Sequence, residues 1–264
     1  RVAQQYAKKF PNSTRTVTID GIAPMDLVLG QEHAKNLESS LDLQFARCSQ
    51  DKKCKEKMGD PRAQLNQLLT TLSKGPIPVH YRDALTGEWK DGEFSTGHIA
   101  MLTRMLAYAP QAAALLPLQF SEANKGHAES LMALSEMVGK DISDMIMHGM
   151  QLSVMCSEDV DELVIDPADQ NLLLGTGIVE VMKAQCAVWP HKKRPDDFRA
   201  PLTGNVPVLI LSGEFDPVTP PRYGNAVAKH LPNSKHIIVK GSGHNVLPIG
   251  CMPKLFATFL DTAD

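Results

Sequence analysis

The spacing of apolar positions changes character twice along the chain. Val2, Ala3, Tyr6, Ala7 and Phe10 recur on one helical face and Pro11 closes the run, which predicts an amphipathic first helix. After the Pro11-Asn12-Ser13 turn, the β-branched, alternating segment Arg15–Asp20 predicts a strand that stops at Gly21. From about Pro24 to Val164 the pattern is helical. Helices are expected over Gln31–Ala46, Arg62–Ser73, Thr96–Tyr108, Ser121–Val138 and Asp141–Val154, with a small hairpin across Ile77–Phe94 turning at Thr86-Gly87. From Val206 the pattern changes again. Pro207–Ser212 and His236–Val239 are short, continuous apolar runs of the buried parallel type. Helices are expected after each, over Arg222–Leu231 and Met252–Leu260, with short loops between. Strand, loop, helix, strand, loop, helix is a βαβα unit and implies a parallel sheet.

The expected organisation therefore has three parts. Residues 1–24 and 166–264 read as an α/β core, and residues 25–165 as a helical block inserted between its elements, a lid or cap over a site. That block is rich in methionine (Met132, Met137, Met145, Met147, Met150, Met155), and core packing is the expected role of most of them, the alternative being an adaptable binding wall. No run approaches the roughly 18 apolar residues that span a bilayer, so no membrane partner is expected. Lys plus Arg total 27 against 30 Asp plus Glu, a net charge of -3, which argues against nucleic acid as the main partner. The first helix lacks a start signal and the chain has no initiator Met, which suggests a chain that begins late or has been cut.

Five cysteines stand at positions 48, 54, 156, 186 and 251, without zinc-site spacing, so no metal is expected. Cys48 and Cys54 bracket a polar loop and Cys156 and Cys186 flank a segment that leaves and returns. Each pair reads either as a disulfide or as two reduced thiols. Disulfides would place the protein in an oxidising compartment, secreted or periplasmic.

Functional groups of open parallel sheets gather beyond the carboxyl ends of the strands. Asp216 follows the first C-terminal strand and His244 the second. An aspartate that fixes a histidine tautomer, and a histidine that acts as general base, are two members of a hydrolase triad. Asp before His is the chain order of α/β-hydrolases, whose nucleophile lies upstream of both. Either residue alone reads equally well as turn chemistry, but the pair at successive strand ends does not. No Gly-x-Ser-x-Gly elbow occurs in these 264 residues; Gly241-Ser242-Gly243 has the wrong spacing and lies beside the histidine.

The segment Val206-Pro-Val-Leu-Ile-Leu-Ser-Gly-Glu-Phe-Asp-Pro-Val-Thr-Pro-Pro221, with Ala226–Ser234 and Gly241-Ser-Gly-His244, resembles the C-terminal region of tripeptidyl-aminopeptidase-like α/β-hydrolases, serine exopeptidases related to prolyl aminopeptidase. The resemblance extends to Cys156-Ser-Glu-Asp159, to Cys186-Ala-Val-Trp-Pro190 and to the start of the chain. It implies an α/β-hydrolase parallel sheet, partial because its N-terminal strands are absent, with a mainly helical lid insertion. It implies that the chain starts a few residues after the catalytic serine, that Asp216 and His244 are acid and base, and that both oxyanion donors lie outside these residues. An upstream cysteine of the family is then a partner for Cys251.

An aminopeptidase must also hold a free α-ammonium group, for which Glu158 and Asp159 are the candidates and Glu214 a further one. The expected substrate is a short peptide, and the expected partner is the missing N-terminal part of the same protein. No cofactor is implied. Two rivals stand beside this reading: a carboxylic-ester hydrolase on the same scaffold, expected to have a purely apolar cleft, and a non-catalytic binding fragment that inherits an idle Asp–His pair.

Overall fold

The computed structural model describes residues 1–264, with the side chains of Asp141, Ile142 and Ser143 outside the described set. Helix α1 (Val2–Lys9) leads through a short 3-10 turn at Pro11–Ser13 into strand β1 (Val17–Asp20). Two more strands, β4 (Val208–Gly213) and β5 (Ser234–Val239), join β1 in a parallel sheet of order β1-β4-β5. The protein is an α/β fold built on a parallel sheet, as the strand pattern implies.

Between β1 and β4 lies the helical block. It contains α2 (His33–Gln50), α3 (Lys52–Met58), α4 (Pro61–Leu72), the antiparallel hairpin of β2 (Ile77–Arg82) and β3 (Trp89–Phe94), and α5 (Thr96–Ala107). It continues with α6 (Pro110–Ala113), α7 (Leu116–Asn124), α8 (Glu129–Met145), α9 (His148–Glu158) and α10 (Gly177–Val188). Helices α11 (Pro221–Ala228) and α12 (Met252–Thr262) follow β4 and β5.

Strand β4 is buried at every position and divides the core by its alternation. Val208 and Ile210 point to one face with Val17, Ile22, Tyr223 and Val227, while Leu209 and Leu211 point to the other with Val246, Met252 and Phe259. The helical block has a core of its own, in which Leu37, Leu41 and Phe45 of α2 meet Leu65 and Leu68 of α4, Leu102 of α5 and Phe120 of α7.

Several elements differ from the sequence expectation, each for a local reason. The expected helix over Ser121–Val138 is two helices, because Gly126 takes a φ of +98° and ends α7 before α8 begins. Helix α8 then runs to Met145, and the helix expected over Asp141–Val154 is α9, which starts at His148. The polar segment bracketed by Cys48 and Cys54 is no loop but the junction of two helices: α2 ends at Gln50 and α3 starts at Lys52, its start fixed by the Asp51 carboxylate accepting from the Cys54 N–H at 2.7 Å. Helix α1 buries Gln4 and Ala7, while Val2, Tyr6 and Phe10 are exposed. The methionines divide: Met132 and Met155 are buried, whereas Met145, Met147 and Met150 are at least 64% exposed, so core packing is not the role of those three.

Candidate active site

All three parallel strands end on one edge of the sheet, and the loops beyond β4 and β5 carry Asp216 and His244. The carboxylate Oδ2 of Asp216 stands 2.8 Å from Nδ1 of His244. Asp216 is 2% exposed, and its other contacts are local. Oδ1 accepts from the backbone N–H groups of Val218 and Thr219, each at 2.8 Å, and Oδ2 accepts from the Thr219 hydroxyl at 2.9 Å. Burial pushes this carboxyl upward, but the His244 hydrogen bond and charge, with the Thr219 and Val218 N–H groups, outweigh it and hold Asp216 below the usual carboxylate range. Asp216 is thus an anion ready to fix the Nδ1–H tautomer of His244.

The His244 loop is held from the helical block. The backbone N–H of His244 donates to the carbonyl of Tyr108 at 2.9 Å, and the Tyr108 ring meets the imidazole edge-on at 5.3 Å between centroids. Gly21, at the end of β1, permits the third close approach. Its φ is +70°, and a Cβ there would stand 2.9 Å from both His244 Cε1 and Thr219 Oγ1. Among the described residues no hydrogen bond engages Nε2 of His244, the nitrogen that a nucleophile would address.

A second serine–histidine contact exists. Ser212 Oγ lies 2.9 Å from His236 Nε2, and His236 Nδ1 lies 2.9 Å from Asn225 Oδ1. This has the connectivity of a triad, but Ser212 is fully buried in β4 and no substrate carbonyl reaches it. It is a packing arrangement between the sheet and α11.

The three carboxylates considered for amine binding lie elsewhere in the contact network. Asp159 is fully buried. It accepts from Arg1 Nη1 at 2.7 Å and Nη2 at 2.8 Å, from the Leu29 N–H at 3.0 Å and from Arg199 Nη2 at 3.1 Å. Glu158 accepts from Arg1 Nη1 at 2.8 Å and keeps a side chain 24% exposed. Glu214 Oε2 accepts from the Gly241 N–H at 2.8 Å and so braces the loop that leads to His244. None of these described contacts involves Asp216 or His244. The cysteines form Cys48–Cys54 and Cys156–Cys186 disulfides, and Cys251 is free and exposed.

Thr219 and Tyr108 belong to the site and carry no assignment from the sequence. Thr219 was legible in principle, since a threonine three residues after an aspartate is a spacing at which a loop folds onto its own carboxylate. Tyr108 had no local signal.

An aspartate hydrogen-bonded to a histidine, each beyond the end of a neighbouring parallel strand and in that chain order, is the arrangement in which α/β-hydrolases carry their acid and base. Residues 173–264 match the family model described as TAP-like protein, so the resemblance to TAP-like α/β-hydrolases holds for the segment that carries both residues. The chain is also 23% identical over 288 residues to proteins named serine protease Hip1 from Mycobacterium tuberculosis and from Mycobacterium bovis, an alignment covering 98% of this chain and 53% of the relative. The chain spans about half the length of the curated relatives it matches. Its two disulfides fit an oxidising compartment. Among the described residues no helix is long and apolar enough to cross a membrane.

Proposed function

We propose that this chain supplies the acid–base residues and lid of a serine exopeptidase, secreted or periplasmic, that cleaves short peptides near a free N-terminus. The observation that carries the reading is the 2.8 Å contact between Asp216 and His244 at adjacent strand ends. We assign the serine and the oxyanion donors to sequence preceding Arg1, because these 264 residues hold no Gly-x-Ser-x-Gly elbow and the nucleophile of an α/β-hydrolase lies upstream of its acid and base. Residues 25–165 act as the lid, which limits access to chain ends, and residues 1–24 and 166–264 form the core.

In this mechanism Nε2 of His244 takes the serine proton as the hydroxyl attacks the scissile carbonyl. Asp216 keeps Nδ1 protonated and stabilises the imidazolium that results. His244 then returns the proton to the leaving amine, and a water, activated by the same nitrogen, releases the acyl group. No metal or cofactor takes part in these steps.

Glu158, whose side chain is 24% exposed, is the proposed holder of the substrate ammonium, with Glu214 as a further candidate. Asp159, expected beside it, is fully buried between the Arg1 and Arg199 guanidinium groups and out of a substrate's reach. Replacing Glu158 by Gln, in the chain carrying its upstream sequence, should lower kcat/KM for free-amine peptides by roughly ten-fold or more. Hydrolysis of a simple aryl ester should be nearly unchanged. Equal loss of both activities assigns Glu158 a structural role. A second reading, carboxylic-ester hydrolysis, is favoured by one observation: Asp159 is already occupied by two guanidinium groups. Equal cleavage of N-acetylated and free peptides would put that reading first.

A further inference from the structure

Helix α2 belongs to the helical block, yet one of its faces is turned toward the catalytic loops and is polar. Its apolar residues Leu37, Leu41 and Phe45 enter the core of the block. Asn36, Ser40 and Gln44, spaced by four and therefore on one stripe, do not. Asn36 is 1% exposed and Ser40 2% exposed. Polar groups buried this deeply on a helix are costly unless they are hydrogen-bonded, and apolar packing alone gives no reason for them.

Their partners are the two loops that hold the dyad. Ser40 Oγ donates to the Phe215 carbonyl at 2.6 Å, and Asn36 Nδ2 donates to the Val218 carbonyl at 2.9 Å. Phe215 and Val218 flank Asp216-Pro217, and the Val218 N–H donates to the Asp216 carboxylate. The aspartate loop is therefore gripped on both sides of the catalytic group. Gln44 Nε2 donates to Ser40 Oγ at 3.0 Å and to the Ala107 carbonyl at 3.3 Å. Ala107 ends α5 and precedes Tyr108, whose carbonyl accepts from the His244 N–H. One stripe of one helix thus reaches the aspartate loop directly and the histidine loop through two consecutive residues, Ala107 and Tyr108.

We propose that Asn36, Ser40 and Gln44 are positioning residues that set the Asp216–His244 hydrogen bond, so that the seating of the helical block on the sheet determines the geometry of the acid–base pair. The proposal rests on reading Asp216 and His244 as that pair. Its physical basis is tolerance: a charge-assisted hydrogen bond holds its strength only within a few tenths of an ångström, and the loops carrying its two ends are fastened to α2 rather than to one another alone.

The test is proton NMR of the 264-residue chain. The hydrogen-bonded Nδ1–H of His244 should give a low-field resonance, assigned by its loss in His244→Gln. Ser40→Ala should abolish that resonance or move it upfield. Ser40→Thr, which keeps the hydroxyl, should restore it. Leu41→Val, on the same helix but facing the core, should lower Tm and leave the resonance in place. Should Ser40→Ala fail to fold, Gln44→Leu provides the same comparison at a half-buried site. Retention of the parent resonance in Ser40→Ala (or in Gln44→Leu, if that variant is the one used), or its equal loss in Leu41→Val, overturns the proposal. Absence of the resonance in the parent chain overturns instead the acid–base reading on which the proposal rests.

Discussion

Asp159 and Asp216 look alike by burial and by hydrogen bonding, and they differ in what surrounds them. Both are almost wholly withdrawn from solvent, and each accepts four hydrogen bonds. Asp159 faces two guanidinium groups, those of Arg1 and Arg199, which stay protonated at any pH the protein meets. Asp216 faces an imidazole, a group that can both take up and give back a proton and whose second nitrogen has no described partner. The first arrangement fixes charge in place. The second leaves a proton to move. Burial and saturation mark both as structurally committed, and only the identity of the partner marks one as chemical.

The comparison breaks first at activity. In the chain carrying its upstream sequence, Asp216→Asn should lower kcat by about four orders of magnitude, because the amide stabilises the wrong tautomer of His244. Fold stability should change far less. Steady-state kinetics on a chromogenic ester checks the former and thermal denaturation the latter.

Stability should show the reverse order. Asp159→Asn leaves two guanidinium groups facing an amide and should cost about 3–5 kcal/mol, read as a fall in Tm or in denaturant midpoint. Asp216→Asn loses one hydrogen bond of good geometry and should cost about 1–2 kcal/mol. A larger effect at Asp216 than at Asp159 would contradict the division of roles.

Acid sharpens the contrast more gently. Asp216 titrates below its ordinary range in the folded chain, so its contribution to stability is present above that range and is lost as pH falls through its folded value. His33, pushed down by burial and by the nearby Arg104 from 6.5 to about 4, acts in the same direction. Its unfolded form binds a proton first, so stability falls between pH 6.5 and 4 by at most about 3 kcal/mol. His33→Gln should flatten the stability curve in that window. An unchanged slope would show that the surroundings of His33 do not hold its imidazole neutral.

The smallest expected difference lies between the disulfides. Cys156–Cys186 closes a sequence separation of 30 and Cys48–Cys54 one of 6. On loop entropy alone the longer closure contributes more, by roughly 1 kcal/mol, measurable by replacing each pair with alanines.

How much of this was legible in the sequence follows from the range of the interactions. β4 and the Asp216–His244 pairing were readable because a buried parallel strand leaves a continuous apolar run and parallel strand ends face one way. β5 was readable as a strand, but the burial expected of it is not found: none of its positions is buried and Ile238 is 42% exposed, because β5 pairs only with β4 at the side of the described sheet. The hairpin over Ile77–Phe94 was readable from its turn. Where one break decided an element, as at Gly126, periodicity ran two helices together. The contacts of Asp159 with Arg1 and of Tyr108 with His244 join residues more than a hundred positions apart, and no local pattern announces them. Ser40 and Asn36 read as ordinary polar positions on a helix, and their burial exists only once α2 meets the aspartate loop.

The central claim is that Asp216 and His244 serve a serine that precedes Arg1. Labelling with a fluorophosphonate probe tests it most directly, run in parallel on the 264-residue chain and on the chain extended by its natural upstream sequence. The account predicts stoichiometric labelling of the extended protein on an upstream serine, abolished by His244→Gln, and no labelling of the 264-residue chain. Stoichiometric labelling of a residue within Arg1–Asp264, or an extended protein whose labelling survives His244→Gln, would contradict it.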